Sequence, residues 1–146
     1  MACRPNIHRI GNLDGVIHAT QAVLPTMIAQ HRGHIFSLTS RAACHDWDSR
    51  GILSYAVAKA GVERLTSALA EEATPHGVIV NCLDPVSLRS SGAVAARGAD
   101  ADWSSYDETD SIGEKALFLS TCDSSFTGRR IMRTDPLPSA GSLAAG

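Results

Sequence analysis

The six residues Val78-Ile79-Val80-Asn81-Cys82-Leu83 limit what this chain can fold into more than any other stretch of its sequence. They form a near-continuous apolar run with no alternation of apolar and polar side chains. A strand with one wet face alternates, whereas a strand covered on both faces does not. The run therefore reads as a strand with helices above and below it, the situation of a parallel sheet. Asp84-Pro85 closes it.

The flanking sequence supplies the helices. From about Asn6 to Gln30, the residues Leu13, Val16, Ile17, Thr20, Leu24, Met27 and Ile28 recur at three- and four-residue spacing, as on one helix face. Pro25 lies inside this pattern and predicts a kink or a shortening of the last turns. Gly33 ends the helix, His34–Thr39 reads as a short strand, and the polar stretch Ser40 to Ser54 as a loop. Between Tyr55 and Thr74, Ala58, Val62, Leu65 and Leu69 form an apolar stripe, with Lys59, Glu63, Arg64, Glu71 and Glu72 on a polar side. Pro75-His76-Gly77 stops that helix, Gly77 being suited to the turn beyond a helix end.

Residues 86–111 are rich in Ser, Gly, Ala and Asp with weak periodicity, which predicts a mobile surface segment. A short helix is expected from about Ser111 to Ser120, a last strand near Arg130–Thr134, and a flexible tail over Pro136–Gly146. The order helix, strand, helix, strand, helix, strand implies an α/β fold, a doubly wound parallel sheet with flanking helices, in one domain over residues 1–135. Ligands of such sheets bind outside the carboxyl ends of the strands. Ser40, after the first strand, and Pro85 to Ser90, after the second, are thus expected to face one crevice.

Composition narrows the partners. The 146 residues carry 13 Lys+Arg against 15 Asp+Glu, a formal net charge of −2. That leaves no basic excess to neutralise a phosphate backbone, so no nucleic-acid partner is expected. No apolar run approaches the roughly 18 residues that span a bilayer, and MACRPNIHRI lacks the apolar stretch of a secretory signal. A cytoplasmic chain with no membrane partner is expected. Cys3, Cys44, Cys82 and Cys122 lie about 40 residues apart without a CxxC pair, the pattern of free thiols in a reducing compartment. His31 and His34 form an HxxH and Cys44-His45 are adjacent, but neither gives the ligand spacing of a metal site, so no metal is expected. Arg129-Arg130 and Arg133 read as a small solvated basic cluster, and Trp47 either lines a substrate pocket or anchors its loop.

One pair of residues carries chemistry. Tyr55 and Lys59 stand four residues apart on a helix, on one face and one turn from each other. A phenol has a reference pKa of about 10 and exchanges protons poorly at neutral pH. A neighbouring cation favours the phenolate, so a tyrosine beside a lysine can pass a proton to or from an alcohol or carbonyl oxygen.

The surrounding sequence resembles the short-chain dehydrogenase/reductase family from Asn12 to Pro85. "NLDGVIHATQAVLP" looks like that family's central interface helix. "GHIFSLTSRAA" looks like its strand ending in the catalytic serine, and "YAVAKAGVERLTSALAEEATPHGVIVN" like its catalytic helix and following strand. The resemblance implies a Rossmann sheet, NAD or NADP as cofactor, and hydride transfer to or from a small carbonyl or alcohol substrate. It also implies a homo-oligomer joined through helices 6–30 and 55–74. Carried over by position, Tyr55 is the general acid/base. Lys59 holds the nicotinamide ribose and lowers the Tyr55 pKa, Ser40 hydrogen-bonds the reacting oxygen, and Asn12 supports the water relay that reprotonates Lys59. Thr39 is the alternative to Ser40, and a helix-start cap is the alternative role for Asn12.

The resemblance covers the C-terminal half of the family fold. The N-terminal βαβ half, with its glycine-rich phosphate turn, has no counterpart in Met1–Gly11. Where the family has Pro-Gly and then a hydroxyl residue beside the nicotinamide, this chain has Pro85, Val86 and, further on, Ser90 as the stand-in hydroxyl. Valine is not expected to reach the positive φ that glycine takes freely. Asp135-Pro136 replaces the family's closing Asp-Gly-Gly. The missing turn opens a second reading, a catalytically inactive relative acting as a helix-mediated oligomerisation or interaction module.

Overall fold

A computed structural model of the chain describes residues 10–137. Its regular elements are α1 (Gly15–Ala29), β1 (Gly33–Leu38), α2 (Leu53–Ala73), β2 (Val78–Asp84), α3 (Ser91–Arg97), α4 (Gly113–Thr121) and β3 (Arg130–Met132). The strands form one parallel sheet in the order β1-β2-β3, with Leu38 opposite Leu83 and Cys82 opposite Arg130.

The apolar run behaves as its composition requires. All seven residues of β2 are buried. Ile79 and Leu83 point to one face, where they pack with Leu119 and Cys122 of the α4 side and with Phe126 and Ile131. Val78 and Val80 point to the other and pack with Ala70 and Ala73 of α2 and with Leu24, Met27 and Ile28 of α1. The helices thus cover both faces, and a residue buried this completely stabilises the fold by about 1.5–3 kcal/mol. Asn81, the polar interruption, is satisfied: its Nδ2 donates to Phe126 O at 2.8 Å and its Oδ1 accepts from Arg129 N at 3.0 Å. That amide fixes the turn that delivers β3.

Several expectations change against the structure. Helix α1 continues four residues past Pro25, so the proline does not shorten it. Part of the predicted first helix, residues 6–9, and most of the predicted tail lie outside the described residues. Lys59 is not on a solvated side of α2: it is only 8% exposed, because the buried face runs Lys59, Val62, Thr66, Ala70, Ala73. Residues 86–111 are not featureless. They contain α3, capped by Ser90, and their two ends meet in a parallel bridge between Leu88 and Asp107.

The second edge of the sheet is open. Among the described residues no strand pairs with the outer edge of β1, where Phe36 and Leu38 are 37% and 45% exposed. A groove of about 510 Å³ runs between this strand and α1. Gly77 closes the opposite, amino-terminal end of β2: it takes a left-handed φ of +73° against the carbonyl of His31.

Candidate active site

Parallel strands bring their carboxyl ends to one edge, and here β1 and β2 end level with each other. Thr39 N donates to Leu83 O at 2.9 Å, which locks the residues after β1 to the end of β2. Ser40 then turns the chain: its backbone is extended, and its Oγ accepts from Ala42 N at 3.3 Å as the cap of a short 3₁₀ turn, Arg41–Ala43. Ser40 and Pro85 therefore both follow strands that end at the same edge of the sheet.

Tyr55 is the third residue of α2 and is half-buried. One turn on, the Lys59 ammonium lies 5.6 Å from the centre of the Tyr55 ring and donates to Leu38 O at 2.8 Å. The carbonyl it holds belongs to the last residue of β1, two before Ser40. Burial alone holds this ammonium below the usual lysine range. Lysine has three N–H donors, so two remain after the bond to Leu38. Asn12 sits in a π-helical turn, Ile10–Asp14, ahead of α1. It is not the cap of α1, a position taken by Asp14. The turn rests on α2 at Gly61, where an added Cβ would come within 2.9 Å of Leu13.

Thr39 and Ser40 differ in what their hydroxyls do. Thr39 is 2% exposed and its Oγ1 donates to Glu63 Oε1 at 2.7 Å, so its proton is committed. Ser40 is half-buried, and the bond from Ala42 uses only a lone pair. At the end of β2, Pro85 O accepts from Arg133 Nε at 3.3 Å, and Ser90 Oγ accepts from Ala93 N at 3.2 Å. Val86 departs from expectation, with a φ of +60° despite its branched Cβ. That conformation costs a non-glycine residue roughly 1–2 kcal/mol. Asp84 offsets it by accepting the Val86 amide at 2.8 Å.

Of the basic cluster only Arg129 is exposed, as expected of a solvated group, while the other two are paired. Arg130 reaches Asp84 at 2.5 Å and Glu63 at 3.0 Å, and Arg133 pairs with Asp107. Arg129 instead stacks on Phe126, 5.1 Å from the ring. The partners of Arg130 lie 46 and 67 positions away, so no local pattern announced them. One signal was present: Asp84 ends an otherwise buried apolar run, and a buried carboxylate needs a partner. Trp47 is 45% exposed with the Arg41 guanidinium 5.1 Å from its ring. His34 Nε2 is hydrogen-bonded to Cys122 O at 2.8 Å. Among the described residues no three His, Cys, Asp or Glu side chains gather as a metal site would require, and no helix is long and apolar enough to cross a membrane.

Known proteins resemble this chain in sequence and in fold. The short chain dehydrogenase family profile matches residues 10–101. The chain is 42% identical over 74 residues to a cyclohexanol dehydrogenase of Rhodococcus sp., covering 51% of this chain and 27% of that protein. It is 32% identical over 129 residues to the (2S)-[(R)-hydroxy(phenyl)methyl]succinyl-CoA dehydrogenase subunit of Thauera aromatica, covering 83% and 50%. A gluconate 5-dehydrogenase from Burkholderia cenocepacia, solved with NADP and tartrate, superposes with a TM-score of 0.78 at 25% identity, over 90% of this chain and 56% of that one. The chain thus spans between a quarter and a half of the length of these two curated relatives. From the profile match, and from helices packed on both faces of a parallel sheet, the chain belongs to the short chain dehydrogenase family.

Proposed function

We propose that this chain carries the catalytic half of an NAD(P)-dependent oxidoreductase acting on a small alcohol or carbonyl compound, working in the cytoplasm as a homo-oligomer. The observation that carries this reading is the Lys59 ammonium, buried between the Tyr55 ring and the carbonyl that ends β1. An ammonium held out of water with one acceptor and two donors left over suits a ribose diol, which offers two oxygens at once.

The residues present fit the nicotinamide end of the cofactor. The turn at Val86 has the left-handed backbone that a Pro-Gly turn would give, and Ser90 follows it. Among the described residues no strand leads through a glycine-rich turn into a helix, so the fit does not extend to the pyrophosphate. Bound NAD(P) would supply the hydride donor or acceptor. The chain's own residues move the proton and orient the oxygen. In reduction the Tyr55 hydroxyl gives its proton to the carbonyl oxygen as negative charge develops there, and in oxidation it takes the alcohol proton. Lys59 would hold the ribose together with Tyr55. Ser40, whose hydroxyl proton is uncommitted, donates to the same oxygen, which supports it over Thr39. Asn12 supports the water relay that returns a proton to Lys59. Pro85, Val86 and Ser90 would hold the nicotinamide end of the cofactor.

The test is a titration of the purified chain with NADH and with NADPH, followed by nicotinamide fluorescence. Saturable binding that weakens at least tenfold in Lys59→Met is the expected result. No binding of either cofactor at millimolar concentration would overturn it. That outcome would favour the inactive interaction module, which the exposure of Leu53 (54%) and Val57 (62%) on α2 independently suits.

A further inference from the structure

Beneath the proposed site lies a charged array that the chemistry above does not use. Asp84 is 0% exposed, and its carboxylate has two partners: Oδ1 takes the Val86 amide and Oδ2 takes Arg130 at 2.5 Å. The same guanidinium reaches Glu63 with its Nε, 3.0 Å from Oε1. That contact is an ion pair without an aligned hydrogen bond, since the Nε–H lies off the line between them. Glu63 Oε1 in turn accepts the Thr39 hydroxyl. One side chain on β3 is thereby linked to the turn after β1, through Glu63 and Thr39, and to the turn after β2, through Asp84 and Val86.

We infer that Arg130, with Asp84 and Glu63, is the positioning device of the catalytic end of the sheet, an inference that rests on the oxidoreductase reading for its purpose but not for its test. Each of the two turns has a reason to move without it. Val86 is held at φ +60°, a conformation its side chain disfavours, and Asp84 holds it there by a single amide bond. Thr39 directly follows Leu38, whose carbonyl fixes Lys59, so slack at Thr39 is slack at the ammonium. The guanidinium suits this task because its planar fork serves two carboxylates from one rigid group, and a lysine offers a single point charge instead. Its removal would leave two carboxylates, one wholly buried and one half-buried, without a counter-charge. Both would then move toward water and carry their turns along.

The test follows amide hydrogen exchange, residue by residue, in wild type, Arg130→Met and Arg130→Lys, with Leu119→Ala as a control in the opposite core layer. The amides of Val86 and Ala42 report the two turns, and that of Ala70, inside α2 and 3% exposed, reports global opening. Arg130→Met should speed exchange at Val86 and Ala42 at least tenfold relative to Ala70. Arg130→Lys should restore protection at one of the two turns and not at both. Leu119→Ala should speed all three amides together. If Arg130→Met raises all three in parallel, as the control does, or leaves the two turns unchanged in a folded protein, the inference fails. Exchange needs neither cofactor nor turnover, so a chain that binds no NAD(P)H yet loosens only at its two turns would overturn the oxidoreductase reading and leave the positioning role standing.

Discussion

Replacing Lys59 by methionine should make this protein more stable while weakening its hold on the cofactor. The ammonium is 8% exposed and its desolvation holds it below the usual lysine range, so the fold bears a cost for keeping it charged. Methionine has similar length and no charge, and exchanging a buried ion for an apolar group is often neutral or stabilising by about 1–4 kcal/mol. Against this stands the lost bond to Leu38 O, a charge-assisted hydrogen bond of about 1.5–3 kcal/mol at most. That loss is softened because Leu38 ends the edge strand β1 and is itself 45% exposed. The two terms nearly cancel, and the softened loss leaves a net gain of at most about 1 kcal/mol, or a rise in Tm of up to about 2–4 °C for a chain of this size. The pH dependence has a definite sign. The folded-state pKa of Lys59 lies below its reference of 10.5. Between those two values the unfolded chain binds more protons, and wild-type stability rises with pH. Below both values the cost is constant. Thermal melts of the two proteins should therefore differ most near neutral pH and converge as pH climbs toward 10.5. A Lys59→Met protein that melts several degrees lower, or a gap that does not change with pH, would refute the reasoning.

Two further substitutions and one labelling experiment probe the rest of the fold. At Gly77, φ is +73° and an added Cβ would overlap the His31 carbonyl, with the His31 carbon 2.8 Å away. Gly77→Ala should lower stability by about 2–3 kcal/mol, combining roughly 1 kcal/mol for the left-handed backbone with displacement of the α1–β1 turn. Gly77→Asn separates these terms, because asparagine tolerates the backbone but carries the same Cβ; a wild-type Tm for it would show that no clash exists. Burial pushes the Cys82 thiol up to about 11 and raises that of Cys122 as well. At pH 8 only about 0.1% of Cys82 is thiolate, so iodoacetamide should label the half-buried Cys44 well before Cys82 in the folded protein. Equal labelling rates would contradict the burial of β2.

The parts of this fold that were legible in the sequence are those whose cause is local. The run Val78–Leu83 declared its own two-sided burial, and the spacing of Thr20, Leu24, Met27 and Ile28 found the face of α1 that packs. The Tyr55–Lys59 pair needs only one helical turn to meet, and it does meet. What escaped was decided by partners distant in the chain. Lys59 and Glu63 have charges that suggest a wet surface, but one is buried by β1 and the other is turned toward Arg130. The segment 86–111 lacks periodicity because α3 is only seven residues long and its ends are held by backbone bonds to Ser87 and Arg89 that any sequence can make. Val86 has the wrong side chain for its conformation, and its compensation by Asp84 could not be seen without a backbone to place the amide.

The most direct measurement is turnover of a panel of small alcohols and ketones with NAD(H) and NADP(H), comparing wild type with Tyr55→Phe. That variant removes one hydroxyl and keeps the half-buried ring, so it should remain folded. If Tyr55 moves the proton, wild type turns over at least one pair and Tyr55→Phe loses all of it while still binding cofactor. Turnover surviving at the wild-type rate in Tyr55→Phe would contradict the catalytic assignment outright.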